Sequence, residues 1–135
     1  MTLVPFLTAI EDRIGFKLDE PFEAAYDFIV DDLQTVSIYL DETAGRVRIE
    51  THVENSSNRL SQQLLTRLLE FNFPGNATAG ATLGTRPDGN ALKLINDFDA
   101  ASIDPRAFAD IALAQRRAAI GVTKWIVAQR MQDNG

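Results

Sequence analysis

The single histidine of this 135-residue chain, His52, is the side chain best suited to acid–base chemistry. Glu50 and Glu54 lie two positions to either side, so a β-strand would place all three on one face. A His–Glu pair can act as a general base, but a metal site needs three or four ligands and the chain has no second histidine and no cysteine. The pattern favours a solvated histidine, with a small cofactor-free enzyme based on His52 and Glu50 as an alternative.

Two further segments carry fragments of catalytic motifs without the complete pattern. Asp31 and Asp32 are adjacent, so a strand would point them to opposite faces, and their surroundings are typical of a turn. The glycine-rich residues 80–85 lack the Gly-Lys-Ser/Thr ending of a phosphate-binding loop and lead into a predicted hairpin. With no thiol and no Gly-x-Ser-x-Gly elbow, the sequence predicts a binding protein without catalytic residues, metal or cofactor.

The length and the charge of the chain further narrow the classes of protein to which it can belong. A chain of this length forms one domain, residues 1–135, with a core large enough to need no disulfide. Residues 1–55 hold 12 acidic and four basic side chains, whereas residues 56–135 hold seven and nine, and the total of −6 argues against nucleic acid. No signal sequence or membrane-spanning run is recognisable, so we expect a cytoplasmic protein whose acidic half is solvated or meets a basic partner.

Hydrophobic periodicity predicts the elements that would position any site. Helical spacing near the N-terminus predicts a first helix, with Thr2 as its cap and Gly15 as its stop. The period then changes to two, which predicts three antiparallel strands with one apolar face. The alternating residues are Tyr26, Phe28 and Val30, then Val36, Ile38 and Leu40, then Val47, Ile49, Thr51 and Val53.

The second half of the chain repeats this alternation of helix and strand. A leucine-rich helix follows the possible caps at residues 55–58, and two strands at residues 79–86 and 90–97 flank a Pro-Asp-Gly turn. Asp104 and Pro105 mark the start of the last helix. We therefore predict a single α+β domain in the order α-β-β-β-α-β-β-α, with an antiparallel sheet packed against helices.

The predicted second helix has an unusually broad apolar stripe. Leu60, Leu64 and Leu68 form one row, while Leu65 and Leu69 lie beside it. Such a helix can pack on its own sheet and still present leucine to another chain. Complete burial of the stripe within the monomer is an equally good interpretation.

This order of elements, with three segments of the second half, resembles the class I chaperones of bacterial type III secretion, the Tir-chaperone-like family. The segments are LLTRLLEFNF (64–73), GATLGTRPDGNALKLINDF (80–98) and IDPRAFADIALAQRRAAIGVTKW (103–125). The matching positions are Leu68, Leu69, Asn72, Gly80, Leu83, Gly84, Leu92, Leu94, Asp104 and Phe108. The resemblance implies a cytoplasmic homodimer that uses no nucleotide and holds the N-terminal segment of a secreted effector extended for export.

The resemblance also implies which residues meet each partner. The expected effector-binding residues are Leu3, Phe6, Leu7, Ile10, Phe28, Val36 and Ile38. The expected dimer residues are Leu60, Leu64, Leu65, Leu68, Ala81 and Leu83. For each of these side chains, packing in the monomer core is the alternative. For the whole protein, the alternative is a regulatory or protein-interaction module resembling the YbjN-like family, which would act on another protein instead of secreted cargo.

Overall fold

The fold is taken from a computed structural model, which describes residues 2–30, 34–53, 61–70, 78–85 and 92–133. The elements are α1 (Val4–Ile14), β1 (Ala25–Ile29), β2 (Thr35–Asp41), β3 (Arg46–His52), α2 (Gln62–Leu69), β4 (Thr82–Thr85), β5 (Leu92–Asp99) and α3 (Pro105–Asp133). The predicted α+β fold and the predicted order of elements are confirmed. Among the described helices, none combines the length and apolar character needed to cross a membrane.

The five strands form one antiparallel sheet in the order β1-β2-β3-β5-β4. The register sets Val36 opposite Thr51 and Ile49 opposite Ile38 and Asn96. Because side chains alternate across a strand, this register aligns the apolar positions of β2 and β3 on one face. The order also leaves β1 and β4 as the two edges of the sheet, with β5 inserted between β3 and β4.

The ends of α1 and the start of α3 are set by the conformations and hydrogen bonds of nearby residues. Gly15 ends α1 with a φ of 82°, a left-handed conformation that glycine adopts without strain. At the other end the cap position is Leu3 instead of Thr2, although the Thr2 hydroxyl still accepts a 3.3 Å hydrogen bond from the Val4 amide. Asp104 accepts a 3.2 Å bond from the Ala107 amide, as the predicted start of α3 requires.

The second hairpin differs from its predicted bounds. β4 is confined to Thr82–Thr85, and β5 ends at Asp99, two residues later than predicted. The Pro-Asp-Gly turn between them lies outside the described residues. Ala79 and Gly80 both have positive φ values, of 56° and 83°, which turns the chain just before β4 begins.

The core has two parts. The first lies beneath α1 and is centred on Phe108 of α3, whose ring centroid is 4.8 Å from that of Phe6 and 6.0 Å from that of Phe98. The second lies beneath α2 and includes Val122 and Ile126 from the other half of α3. The buried members of the first part are Leu3, Phe6, Leu7, Ala9, Ile10, Leu18, Phe28, Val30, Val36, Ile38, Leu40, Val47, Ile49, Ala100, Phe108, Ala109 and Ala112. In the second they are Val53, Leu64, Leu68, Ala81, Leu83, Leu92, Leu94, Ala119, Val122 and Ile126.

Candidate protein-binding surfaces

Helix α2 begins at a cap that the sequence interpretation missed. The Ser61 hydroxyl accepts a 3.1 Å hydrogen bond from the Leu64 amide, which satisfies one of the free donors of the first turn. The candidates predicted at residues 55–58 lie outside the described residues. From this start, Leu64 and Leu68 point into the second part of the core, while Leu69 remains 64% exposed.

An apolar groove lies between α2 and the β4 edge of the sheet. Its lining consists of Leu65, Leu68, Leu69, Leu83, Gly84 and Leu92, and it encloses about 300 Å³. Leu83 and Gly84 of the lining belong to β4, which has a neighbouring strand only on its β5 side among the described residues. An apolar surface beside an edge strand is suited to contact with another chain.

The expected dimer residues are divided between the groove and the core. Leu65, Leu68 and Leu83 line the groove, and Leu68 and Leu83 are also buried members of the core. Leu64 and Ala81 are buried in the core and do not line the groove. Leu60 lies outside the described residues. The groove also contains Leu69, Gly84 and Leu92, which were not expected there; the position of Leu69 beside Leu65 on the helical stripe was the available signal for one of them.

The seven expected effector-binding side chains all lie in the first part of the core. They are Leu3, Phe6, Leu7, Ile10, Phe28, Val36 and Ile38, and the most exposed of them retains 6% of its surface. The first four lie on the buried side of α1 and its cap position, and the other three lie on the inner face of the sheet. Their burial gives them a structural role in the monomer, which was the alternative that the apolar spacing left open.

Three large apolar side chains in the N-terminal part of the chain are exposed. Ile29 on β1 is 51% exposed, and Phe16 and Val4 are also exposed large apolar side chains. β1 pairs with β2 alone among the described residues, so its other edge carries main-chain groups that are not engaged by a strand. β1 therefore offers one exposed apolar side chain, Ile29, together with a strand edge.

The segment between α1 and β1 is fastened at two points. The buried carboxylate of Glu11 accepts a 2.7 Å hydrogen bond from the Leu18 amide. The Tyr26 hydroxyl donates a 2.6 Å bond to the main-chain oxygen of Asp19, and burial is the first cause that raises the Tyr26 pKa. These bonds join the segment to α1 at Leu18 and to β1 at Asp19. Its exposed carboxylates, with the one on β1, are Asp19, Glu20, Glu23 and Asp27.

The outer face of the sheet carries His52 and Glu50, the pair considered for catalysis, whereas Glu54, Asp31 and Asp32 lie outside the described residues. Glu50 accepts a 3.0 Å hydrogen bond from Lys93 and lies 3.6 Å from Arg48, so two cations share its carboxylate. His52 is opposite Lys93 in the register, and burial, followed by the charge of Lys93, lowers the His52 pKa below 6.5. Among the described residues, no hydrogen bond joins His52 to Glu50. The face therefore presents an ion-pair network in place of the His–Glu pair that the sequence spacing allowed.

A polar hollow of about 540 Å³ lies on the same face beside the β2–β3 turn. Arg46, Arg48, Glu50 and Asp97 contribute to its wall, and Arg46 lies 3.5 Å from Asp97. Across the described parts of the chain, no group of three or more histidine and carboxylate side chains is arranged to hold a metal ion. The charged groups of the hollow are mutually neutralised, which distinguishes it from the two apolar surfaces.

Solved structures share this fold. The chain superposes on the ExsC–ExsE complex with a TM-score of 0.69 and 18% identity, covering 92% of this chain and 96% of that one. For the HopA1–SchA chaperone–effector complex the values are 0.65, 13%, 88% and 91%. For the Yersinia pestis type III secretion chaperone SycH, in complex with a stable fragment of YscM2, they are 0.60, 12%, 86% and 95%. At these identities the likeness shows the fold.

Sequence comparison gives the family. No curated protein matches the chain significantly. The family model described as "Tir chaperone protein (CesT) family" matches residues 6–121, which extend from the first turn of α1 to the middle of α3. This match confirms the resemblance found in the leucine-rich, hairpin and last-helix segments. The chain belongs to the Tir chaperone protein (CesT) family.

Proposed function

We propose that this protein is a cytoplasmic type III secretion chaperone that binds the N-terminal segment of a secreted effector and holds it extended for export. The observation that carries the proposal is the family match over residues 6–121. Support comes from the compared structures, one of which is a chaperone–effector complex and another a type III secretion chaperone with a bound fragment. No step of this function requires a cofactor, because holding a segment extended needs only binding.

We place the effector contact at the β1 edge. An extended segment can hydrogen-bond to the free main chain of an edge strand and set alternate side chains against apolar neighbours. Ile29 supplies exposed apolar surface there, and the seven residues that the resemblance implies for this contact are buried in the first part of the core. The exposed carboxylates of residues 19–27 would favour an effector segment with basic side chains.

We place the homodimer contact at the groove between α2 and β4. A second copy is favoured there because each copy would bring the same strand edge and the same leucines, as a two-fold interface requires. The side chains of Leu65 and Leu69 would become buried on both copies when the dimer forms. Leu83 would lie near the symmetry axis. The β1 edges would remain free at the two outer ends of the dimer.

The experiment begins with the chain as bait in its native host. Proteins that co-purify are identified, and the N-terminal segment of each is removed in turn. We expect one secreted protein whose first segment is required both for capture and for its export, and whose bound segment is protected from proteolysis. Capture of only non-secreted regulatory proteins would favour the YbjN-like alternative and contradict the chaperone proposal.

A pair of matched variants tests the site. Ile29→Asp changes a side chain that is 51% exposed at the β1 edge, and Val127→Asp changes one that is 45% exposed on α3. Both should fold, since neither position is in the core. We expect Ile29→Asp to lose the effector segment and Val127→Asp to retain it. Equal retention by the two variants would place the contact elsewhere.

A further inference from the structure

Helix α3 carries a charge pattern that the proposed chaperone function does not use. Residues 111–132 contain four basic side chains and no acidic one, in a chain whose net charge is −6. Two of the four, Arg117 and Lys124, are exposed on the side of the helix away from the core. A cationic stretch of this length in an acidic protein produces a local positive potential.

These cations belong to a regular row of residues, which we name the α3 ridge. Its members recur at intervals of three or four, so they lie along one line of the helix, opposite the buried Phe108, Ala119 and Ile126. The ridge consists of Leu113, Arg117, Gly121, Lys124, Ala128 and Met131. Leu113 is half-buried and the other five are exposed. This spacing is that of the contact line between two packed helices.

The charges of the ridge are available to a partner. Among the described residues, neither Arg117 nor Lys124 forms an ion pair or a side-chain hydrogen bond. Other cations on the helical layer are engaged: Arg13 lies 2.7 Å from Asp110, and Arg67 donates a 2.8 Å bond to Gln129. The positive potential of the ridge is therefore not cancelled within the monomer.

Gly121 gives an independent indication. Glycine within a helix costs about 1 kcal/mol relative to alanine. A Cβ atom built at Gly121 meets nothing within 4 Å, so packing inside the monomer does not require glycine there. Gly121 and Ala128 leave shallow positions on either side of Lys124, and small residues on a contact line allow a second helix to approach closely.

We propose that the α3 ridge docks an amphipathic helix of an acidic partner protein. Carboxylates of that helix would pair with Arg117 and Lys124, its backbone would pass over Gly121, and its apolar side chains would meet Leu113 and Met131. A second copy of the chain is disfavoured, because it would bring the same cations. A membrane surface is disfavoured because α3 buries its broad apolar face in the core, and a helix lying on lipid needs that face.

The probe is a fluorescent synthetic helix of about 20 residues with leucine and alanine on one face and glutamate beside them. Its binding to the full chain is measured by anisotropy, against a version with lysine in place of glutamate. We expect binding of the glutamate peptide alone, weakening as salt is raised. Arg117→Glu should weaken it about tenfold, since a close attractive pair becomes repulsive. Lys17→Glu, the same charge change at an exposed position outside α3, should leave it unchanged.

A variant at Gly121 separates docking from stability. Gly121→Leu should raise the thermal midpoint, because leucine is the better helix former and meets no neighbour. The same leucine would project from the contact line, so peptide binding should be lost. Unchanged binding by Gly121→Leu, or equal binding of the lysine peptide, would overturn the proposal. So would preferential binding to phosphatidylglycerol vesicles through Arg117, or a change in the mass of the free protein on Arg117→Glu.

Discussion

The side-chain amide of Gln115 donates a 2.8 Å hydrogen bond to the main-chain oxygen of Leu94. The same nitrogen lies 3.2 Å from the main-chain oxygen of Ile49. Gln115 is fully buried, and it joins α3 to β5 and β3 at the boundary between the two parts of the core. A single polar side chain thus fastens the longest helix to two adjacent strands.

Substitutions of Gln115 should separate the contribution of its packing to stability from that of its hydrogen bonds. Gln115→Leu removes the donor from two buried carbonyls, but it also removes the Gln115 Oε1 atom, which has no partner among the described residues. We expect a loss of about 1 kcal/mol in the free energy of unfolding. Gln115→Glu should cost about 3 kcal/mol or more, because it places a carboxylate against carbonyl oxygens in the core.

Urea unfolding of the three proteins measures both losses, with Gln132→Leu on the exposed surface as control. If Gln115→Glu were as stable as Gln115→Leu, the amide would not be the buried donor that the geometry indicates.

The attachment of α1 to α3 should depend on packing and hardly at all on charge. Phe108→Ala removes a ring that is fully buried between Phe6 and Phe98, and we expect a loss of about 3–5 kcal/mol. Arg13→Ala breaks the exposed ion pair with Asp110 and should cost less than about 1 kcal/mol. Thermal or urea unfolding compares the two variants. A larger loss for Arg13→Ala would show that the ion pair governs the docking of this helix.

Neighbouring leucines of α2 should respond in opposite ways to the same substitution. Leu69→Asp alters a side chain that is 64% exposed in the groove, so the monomer should fold while the proposed dimer dissociates. Leu68→Asp alters one that is 2% exposed, so it should unfold the protein by burying an unpaired charge. Light scattering and circular dichroism distinguish these results. A folded Leu69→Asp protein of about twice 14.9 kDa would exclude the groove as the dimer contact.

His52 should titrate below the usual histidine value. Burial and then Lys93 lower its pKa from 6.5, so the unfolded chain binds a proton more readily than the folded one. The contribution of His52 to stability is therefore present above pH 6.5 and is lost as the pH falls through the folded pKa. Since the chain has one histidine, NMR follows this titration without assignment.

The matched variant for this titration is His52→Gln. Between pH 7 and the folded pKa of His52, its stability should change less with pH than that of the parent protein. A midpoint at or above 6.5 would mean that the carboxylates of Asp27 and Glu50 together outweigh burial and Lys93 in setting the His52 pKa.

Local patterns predicted most of the fold because their causes are local. Gly15 ends α1, and Asp104 with Pro105 begins α3, through conformational and capping preferences that act within a few residues. The position of β5 between β3 and β4 could not be read in this way, since the alternation of side chains does not say which neighbour a strand takes.

The binding surfaces were harder to predict for a related reason. The spacing of Leu3, Phe6 and Leu7 identifies an apolar face but not whether another element covers it, and here α3 does. Ile29 follows Phe28 in β1, so its side chain points to the opposite face of the sheet from the apolar alternation. The sequence pattern therefore did not identify Ile29 as a binding residue, although it is exposed. Gln115 gave no signal either, because a glutamine in a long helix is ordinarily a solvent-facing residue.

The division of the core has a kinetic consequence. Because α1 and α2 belong to different clusters, the half that contains α2 and β4 can open while the half beneath α1 stays packed. Amide protons of α2 and β4 would then exchange with solvent through unfolding of that half, and those of α1 only through unfolding of the other half. A chain bound in the groove would suppress unfolding of the half that contains α2. Its binding would therefore slow hydrogen exchange in that half of the molecule alone.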